Sequence, residues 1–312
     1  MKKTIDQSAK RLRSESEIRA AWGECSTPLV SIICTSYNHS KFIEEALDSF
    51  LIQKTTFPFE IIVFDDASTD STQEIIEGYV KKYPNLFVPL LQKENLWQDR
   101  GVSGTVTVAY PNARGRYMAM CDGDDYWTDP LKLQKQVDYL DKFSEVSLCF
   151  HNAEIVNEEG SFVGDFHPGP DSQFLDARYI ISQGWRIATA SMMFRSKYLK
   201  QNMPSWLKYA PSGDYALHLL LSHYGYLYGL KDKMSVYRNN PNGLHVEFGK
   251  RMFFLKSGLK LLDDFDKETK GEYWSSIQKA KIRLWFRWLI GRYVSFIIKG
   301  VKIFRKKATQ SS

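Results

Sequence analysis

Cysteine is scarce in this chain. Cys25, Cys34, Cys121 and Cys149 are spread over 312 positions without a CxxC pair, so neither a zinc site nor a disulfide framework is predicted. Cys34, Cys121 and Cys149 stand in apolar, strand-like runs, where buried reduced thiols are expected. Long apolar runs are missing as well: none reaches the ~18 residues that a membrane-spanning helix needs. The opening MKKTIDQSAKRLRSESEIRA is charged and holds no apolar core of the secretory-signal kind. These absences predict a cytoplasmic chain, associated peripherally with the inner face of the cell membrane. Acidic residues vanish from Tyr273 to Ser312, while Lys and Arg recur there. Without that tail the formal charge of +6 falls to near neutral or slightly acidic, which gives a nucleic-acid partner no support.

What is present is an alternation. Residues 1–27 form a polar, partly helical lead-in. LVSIICTSYN then reads as a strand and KFIEEALDSFLIQ as a helix. FEIIVFDDASTDS is a second strand with an acidic end, TQEIIEGYVKKYP a helix stopping at Pro84, and NLFVPLLQ a third strand. RYMAMCDGDD is a fourth strand ending in acids. DPLKLQKQVDYLDKF is a helix opened by Asp129 as N-cap and Pro130 as first helical residue. Strand–helix alternation predicts crossover units and a mainly parallel sheet. Ligands bind such sheets at the carboxyl ends of the strands, so Thr35–Asn38, Asp65–Asp66 and Asp122–Asp125 are expected to share one crevice. Beyond about residue 146 the pattern loosens. VSLCFHNAEIVN and ATASMMFRSKYL read as strand or strand–helix steps, GDYALHLLLSHYG as a helix, and YLYGLKDKMSVYR as a strand pair.

The segment YMAMCDGDDYWTDP places Asp122, Asp124, Asp125 and Asp129 within eight positions. Like charges so close repel one another. An EF-hand fails by position, since the fifth and twelfth loop residues would be Tyr126 and Leu133. Two readings stand: solvated surface acids, or a D-x-D pair sharing a hard cation with a phosphate-bearing ligand, its alternate residues projecting to one side. Gly123 lets the backbone approach a ligand. Asp65 and Asp66 are open to a similar choice, between a loop where Ser68, Thr69 or Asp70 caps the next helix and a site for a base or ribose. Asp214, opening an apolar helix after Pro211-Ser212-Gly213, reads either as an N-cap or as a general base.

The order of these clusters carries more than any one of them. VSIICTSYNHSKFIEEALDSFLIQ, FEIIVFDDASTDST, RGRYMAMCDGDDYWTDPLKLQKQVDYL and SGDYALHLL together closely resemble family 2 glycosyltransferases of bacterial polysaccharide-biosynthesis type, over about residues 28 to 245. The resemblance implies an α/β GT-A fold (nucleotide-diphospho-sugar transferase), a mostly parallel mixed sheet flanked by helices. The transferase domain would run over 28–262, with a nucleotide-binding half at about 28–145 and an acceptor half at about 146–262. It further implies inverting transfer from a nucleotide sugar, a UDP-sugar above all, to a hydroxyl of a glycan or lipid-linked saccharide. Carried over by motif, Thr35 and Tyr37 flank the base and Asp66 contacts it. Asp122 faces the ribose, Asp124 ligates Mg2+ or Mn2+ at the diphosphate, Asp125 belongs to the same group, and Asp214 is the catalytic base. Related enzymes often carry a His shortly after the pair that here is Tyr237-Arg238; this chain has Asn240 there and His245 further on, which leaves the role of His245 open.

Two further classes are weighed. A sugar nucleotidyltransferase needs a Gly-rich, basic loop after the first strand, and CTSYNHSKF has no glycine. A non-catalytic scaffold does not call for the set Asp66, Asp122, Asp124 and Asp214. Arg100, Arg114 and Arg116 read as solvated surface arginines, and Trp127, Trp185 and Trp206 as packing residues. In the tail, 263–312, Ile282, Phe286, Leu289, Tyr293, Phe296 and Ile297 fall on one helical face. Lys281, Arg292, Lys299, Lys302 and Lys306 lie on or near the other. That pattern predicts a basic amphipathic helix on an anionic membrane surface.

Overall fold

A computed structural model of the protein describes residues 12–166, 174–184, 187–239 and 250–290. Trp185, Asn240, His245 and the part of the tail from Gly291 onward, with Arg292, Tyr293, Phe296, Ile297, Lys299, Lys302 and Lys306, lie outside the described residues. The chain divides into two compact units, Met1–Gly243 and Leu244–Ser312.

The first unit opens with α1 (Glu15–Arg19), started by a capping box in which Ser14 and Glu17 each accept from the other's backbone. The lead-in is tied to the core: Ile18 and Trp22 are buried, and the Trp22 indole donates to Thr55 Oγ1 at 3.1 Å. Then come β1 (Val30–Ser36), α2 (Ile43–Leu51), β2 (Phe59–Asp65), α3 (Thr72–Lys82) and β3 (Phe87–Leu91). β1 and β2 are almost wholly buried, as strands covered on both faces must be, and their near-continuous apolar runs reflect it. In α2, Ile43, Ala46, Leu47 and Phe50 face the core at helical spacing. Pro89 within β3 is tolerated because β3 pairs with β2 alone, at the sheet edge.

Next are α4 (Leu96–Arg100), a π-turn (Thr105–Ala109) leading into α5 (Tyr110–Asn112), β4 (Tyr117–Asp122), β5 (Tyr126–Trp127) and α6 (Lys132–Lys142). The remainder is β6 (Val146–Val156), β7 (Phe162–Phe166), β8 (Phe174–Leu175), α7 (Ala177–Gln183), β9 (Met193–Arg195), α8 (Lys197–Asn202), α9 (Gly213–Tyr224) and β10 (Tyr226–Arg238). The sheet order is β3-β2-β1-β4-β9-β6-β10-β5, with β7 on β6 and β8 on β10. β1 to β4 are mutually parallel, β9 runs against both neighbours, and β6 and β10 are parallel again. This is the expected α/β architecture, a mostly parallel mixed sheet flanked by helices.

Two local expectations need correction. α6 begins at Lys132, with Leu131 in the cap position, rather than at Pro130. Asp129 still serves the turn: its carboxylate accepts from Leu131 N–H at 2.8 Å and pairs with Lys135 at 2.8 Å. The segment expected as a strand pair is the single strand β10, because Lys231 and Asp232 are absorbed in a bulge between Leu230 and Lys233 instead of reversing the chain. Arg114 lies at the surface as expected, with its guanidinium and backbone N–H both bound to the buried carboxylate of Glu60. Trp127 is core, edge-on to Phe50 with centroids 4.7 Å apart, its indole donating to the Ala190 carbonyl.

The second unit contains α10 (Lys250–Glu268). Lys270 and Gly271, both at positive φ, turn the chain, and residues 274–290 are helical. Phe265 stacks on Tyr273 across this turn at 5.7 Å, Ile277 and Ala280 are buried, and Lys281 pairs with Asp263.

Candidate active site

Strand register assembles the site. Thr35 on β1 stands directly beside Asp122 on β4, and Ser36 beside Asp65 on β2. Both strands then hand their backbone to the loops beyond, since Gly123 N–H donates to the Thr35 carbonyl at 2.8 Å and Asp66 N–H to the Ser36 carbonyl at 3.0 Å. The three acidic or polar strand ends therefore meet at one edge of the sheet, as the alternation predicts.

The β1–α2 loop is stapled to the β2–α3 loop. Asn38 N–H donates to Ser68 Oγ, His39 N–H to Thr72 Oγ1 and Ser40 N–H to Asp70, at 2.8, 2.9 and 3.1 Å. In return Asn38 Oδ1 accepts from Thr69 N–H at 2.8 Å. Asn38 and Ala67 hold positive φ at 56° and 61°, a strained backbone that these bonds fix in place. Asp65 is a hub beneath them, accepting from Ser36, Ser68 and Gln73. Asp70 takes over capping of α3 from the hydroxyl of Ser71, which makes no cap bond. Burial opposes its ionisation, yet hydrogen bonds from Thr72 and Ser40 hold the Asp70 carboxyl down at about 2.

Asp66 is buried and accepts from Leu96 N–H at 2.8 Å and Trp97 N–H at 3.2 Å, so it anchors the start of α4. Burial raises its carboxyl above the ordinary range against those two bonds. A carboxylate offers about four acceptor positions, so this anchoring leaves room for a ligand donor. Tyr37 OH accepts from Gln98 on α4 at 3.4 Å, and Thr35 Oγ1 lies 3.1 Å from Thr105 Oγ1.

Within the acidic loop the four carboxylates take different jobs. Burial first, then the charges of Asp124 and Asp214, push the Asp122 carboxyl up to about 8. Asp214 is thus close enough to Asp122 for their charges to interact, although they are far apart in sequence. Asp124 lies 3.7 Å from His39 Nε2. Asp125 is 2% exposed and accepts from Arg238 N–H at 2.8 Å, so its visible role is to hold the loop. Its carboxyl is raised well above the usual range by burial and by Asp124 and Asp122. The half-buried phenol of Tyr237 is raised by burial and then by Asp125, Asp124, Asp122 and Asp214, which puts it within reach of their charges.

Asp214 sits one residue inside α9, after Ser212 in the cap position, so it is not the N-cap. Its Oδ1 accepts from Ser212 Oγ at 2.7 Å and from Tyr215 N–H at 2.8 Å. Both bonds fall on one oxygen, which orients Oδ2 to take a proton. About two turns of buried helix behind it, Ala216 to Ser222, make a rigid mount.

Sequence reasoning missed Arg238 and His39. Arg238 is buried at the end of β10 and ties the acidic loop down. Its Nε donates to the Asp124 carbonyl at 3.0 Å, its Nη2 pairs with Glu45 of α2 at 2.6 Å, and its guanidinium lies 4.7 Å from the Phe42 ring centroid. Only its place as the last residue of a strand-like run hinted at this. Gly123 also has a reason beyond ligand approach: a Cβ there would stand 2.7 Å from Ile43 Cδ1 and 2.9 Å from His39 Nδ1.

A divalent cation fits the chemistry of this donor set: burial first, and then the charges of Asp124 and Asp214, leave Asp122 reluctant to ionise, and a cation beside these carboxylates would offset both. Among the described residues no three His, Cys, Asp or Glu side chains converge tightly enough to hold an ion alone. Ligand oxygens would have to complete its shell.

Comparisons with known proteins bear on the family and the fold. The family described as glycosyl transferase family 2 matches residues 31–202. An uncharacterized protein of Mycobacterium tuberculosis is 39% identical over 215 residues, 69% of this chain and 60% of its own length. This chain therefore spans about 60% of the length of that relative. A putative teichuronic acid biosynthesis glycosyltransferase of Bacillus subtilis, TuaG, is 27% identical over 264 residues, 81% of this chain and 95% of its own. Among solved structures, residues 1–349 of S. aureus TarS in complex with UDP-GlcNAc share the fold at TM-score 0.56 and 21% identity, over 75% of this chain and 66% of that one. The mannosyltransferase PcManGT of Pyrobaculum calidifontis, in complex with GDP-Man and Mn2+, does so at TM-score 0.52 and 19% identity, over 82% and 70%.

Proposed function

The chain belongs to glycosyl transferase family 2, and from that premise we propose that it transfers a sugar from a nucleotide-sugar donor to a hydroxyl of a glycan or lipid-linked saccharide, in cell-surface polysaccharide synthesis. The observation that carries this reading is the gathering of Thr35, Asp66, Asp122 and Asp124 at the carboxyl ends of β1, β2 and β4, with Asp214, at the start of α9, near enough for its charge to bear on Asp122. One carboxylate of this group is presented by a helix and the others by a strand end, so they can serve two ends of one reaction. Asp214 Oδ2 takes the proton of the acceptor hydroxyl as that oxygen attacks the anomeric carbon. Asp124, with Asp122 beside it, would hold Mg2+ or Mn2+ together with the donor diphosphate. The bound cation supplies Lewis-acid stabilisation of the leaving nucleoside diphosphate. Thr35, Tyr37 and Asp66 line the place of the nucleoside, and Arg238 and Asp125 keep the acidic loop from springing apart.

A base and a leaving group on opposite faces of the sugar give a single displacement with inversion. A double displacement would require a carboxylate beneath the ring. UDP-GlcNAc and GDP-Man are the donors held by the two structural neighbours, and a UDP-sugar is the first choice here. The loop geometry does not favour nucleotidyl transfer: the N–H groups of Asn38, His39 and Ser40, which a phosphate cradle would need, are already spent on side chains.

The test is a panel of UDP- and GDP-sugars incubated with the protein and Mn2+, read by release of nucleoside diphosphate. At least one donor should be turned over, with product of inverted anomeric configuration when an acceptor is supplied. No release from any donor, together with no thermal stabilisation by any, would contradict the reading.

A further inference from the structure

The helix over 274–290 carries two apolar faces, and among the described residues only one of them is packed. Ile277 and Ala280 are buried, and Leu284 lies within reach of Gly258 of α10, so this stripe packs within the second unit. A second stripe turns the other way. Trp274, Ile282, Trp285, Phe286, Leu289 and Ile290 are all exposed, Phe286 by 60% and Ile290 by 61%. At 100° per residue they fall within about half the helix circumference, well apart from the packed stripe. A cluster of large exposed apolar side chains of this size marks an interaction surface.

Charge identifies the occupant. Lys279, Arg283 and Arg287 recur at four-residue steps along one margin of the exposed stripe, and all three positions are exposed. Ten Lys and Arg and no Asp or Glu fall within residues 273–312, whereas the sequence before them carries 32 Lys and Arg against 36 Asp and Glu. In sequence, the positive charge of the chain is therefore concentrated in the stretch that includes this helix, which itself carries Lys279, Lys281, Arg283 and Arg287. A protein partner would need to match both an apolar stripe and an unbroken cationic margin. A bilayer with anionic headgroups offers both without any specific shape, taking the aromatic and aliphatic side chains at the headgroup boundary and the cations at the phosphates. No helix among the described residues is long and apolar enough to cross a membrane, so contact would lie in the interface plane.

We propose that the helix over 274–290 docks the protein on an anionic lipid surface through Ile282, Trp285, Phe286 and Leu289, with Lys279, Arg283 and Arg287 reading the headgroup charge. The face differs from the packing face of the same helix, so docking and folding of the second unit do not compete. The sugar-transfer reading is independent of this one, because lipid binding is measured without turnover.

Co-sedimentation of the full chain with vesicles tests it. Vesicles of phosphatidylcholine containing about a third phosphatidylglycerol should carry the protein down, and vesicles of phosphatidylcholine alone should do so at least about tenfold less. Trp285→Ser, Phe286→Ser and Leu289→Ser combined should weaken binding by about tenfold or more. Lys279→Gln, Arg283→Gln and Arg287→Gln combined should reduce the preference for anionic lipid by about tenfold or more. Circular dichroism should show helical content unchanged in both. The proposal is overturned if the wild type stays in the supernatant with anionic vesicles, if both lipids bind it equally, or if the apolar variant sediments like the wild type. It is equally overturned if that variant instead abolishes a concentration-dependent dimer that binds no vesicle, since a second copy then covers the face.

Discussion

Asp214 is held by Ser212 and Tyr215 through one oxygen, and both bonds can be kept by the carbonyl oxygen of an amide. Asp214→Asn should therefore leave the fold and donor affinity in place while removing the proton acceptor. Transfer should fall by roughly a hundredfold to ten-thousandfold, the usual worth of a general base. Titration calorimetry with the donor and steady-state turnover measure the two effects separately; turnover within about threefold of wild type, under ~1 kcal/mol of barrier, places the base elsewhere. At the same scale lie the residues that the sequence conceals. Arg238 and Glu45 are separated by 193 positions and Arg238 and Asp125 by 113. No local pattern records such a pairing. Lys132 is hidden for another reason: in a helix of mixed polarity a lysine reads as surface. Here it is buried with its ammonium 4.0 Å from the Trp127 ring centroid and bound to Gln136, and burial pushes it down to about 7.

Elements are where sequence periodicity has its force, and the site is legible to that extent. β1, β2 and β4 announce themselves as apolar runs that end abruptly in polar residues, because both of their faces are covered and only their ends reach solvent. Topology then brings those ends together, so the grouping of Thr35, Asp66, Asp122 and Asp124 could be read before any coordinates. Turns were less legible. The bulge in β10 and the late start of α6 depend on which neighbouring strand or helix claims the backbone, and the spacing of apolar residues does not contain that information. The acidic loop shows the same coupling in energetic form. Gly123 packs against Ile43 of α2 and His39 of the β1–α2 loop, so Gly123→Ala should force both aside and cost about 1–3 kcal/mol. Chemical denaturation measures the loss, and nucleotide affinity should drop with it, because the flanking Asp122 and Asp124 move with the loop. An unchanged denaturation midpoint would mean that the loop yields freely.

For the molecule as a whole, the sequence divides into parts with different chemistry: a transferase unit near neutrality and a second unit whose helix over 274–290 is apolar and cationic at once. Alternation of strands and helices made the first part readable, and family membership follows from it and from residues 31–202. In the second part, the apolar face expected at Ile282, Phe286 and Leu289 is present and exposed. The face that packs, through Ile277 and Ala280, went unrecognised because a helix with two apolar stripes shows no single amphipathic side. The central claim concerns the first unit alone: carboxylates that repel one another at the end of β4 exist to share a cation with a nucleoside diphosphate. Titration calorimetry of UDP and GDP against the wild type and Asp124→Ala, with Mn2+ and then with a chelator, tests it most directly. One nucleotide should bind the wild type with Mn2+ and lose at least about tenfold in affinity, ~1.4 kcal/mol, on chelation or in the variant. Equal affinity in all three conditions, or no binding of either nucleotide, would contradict the account.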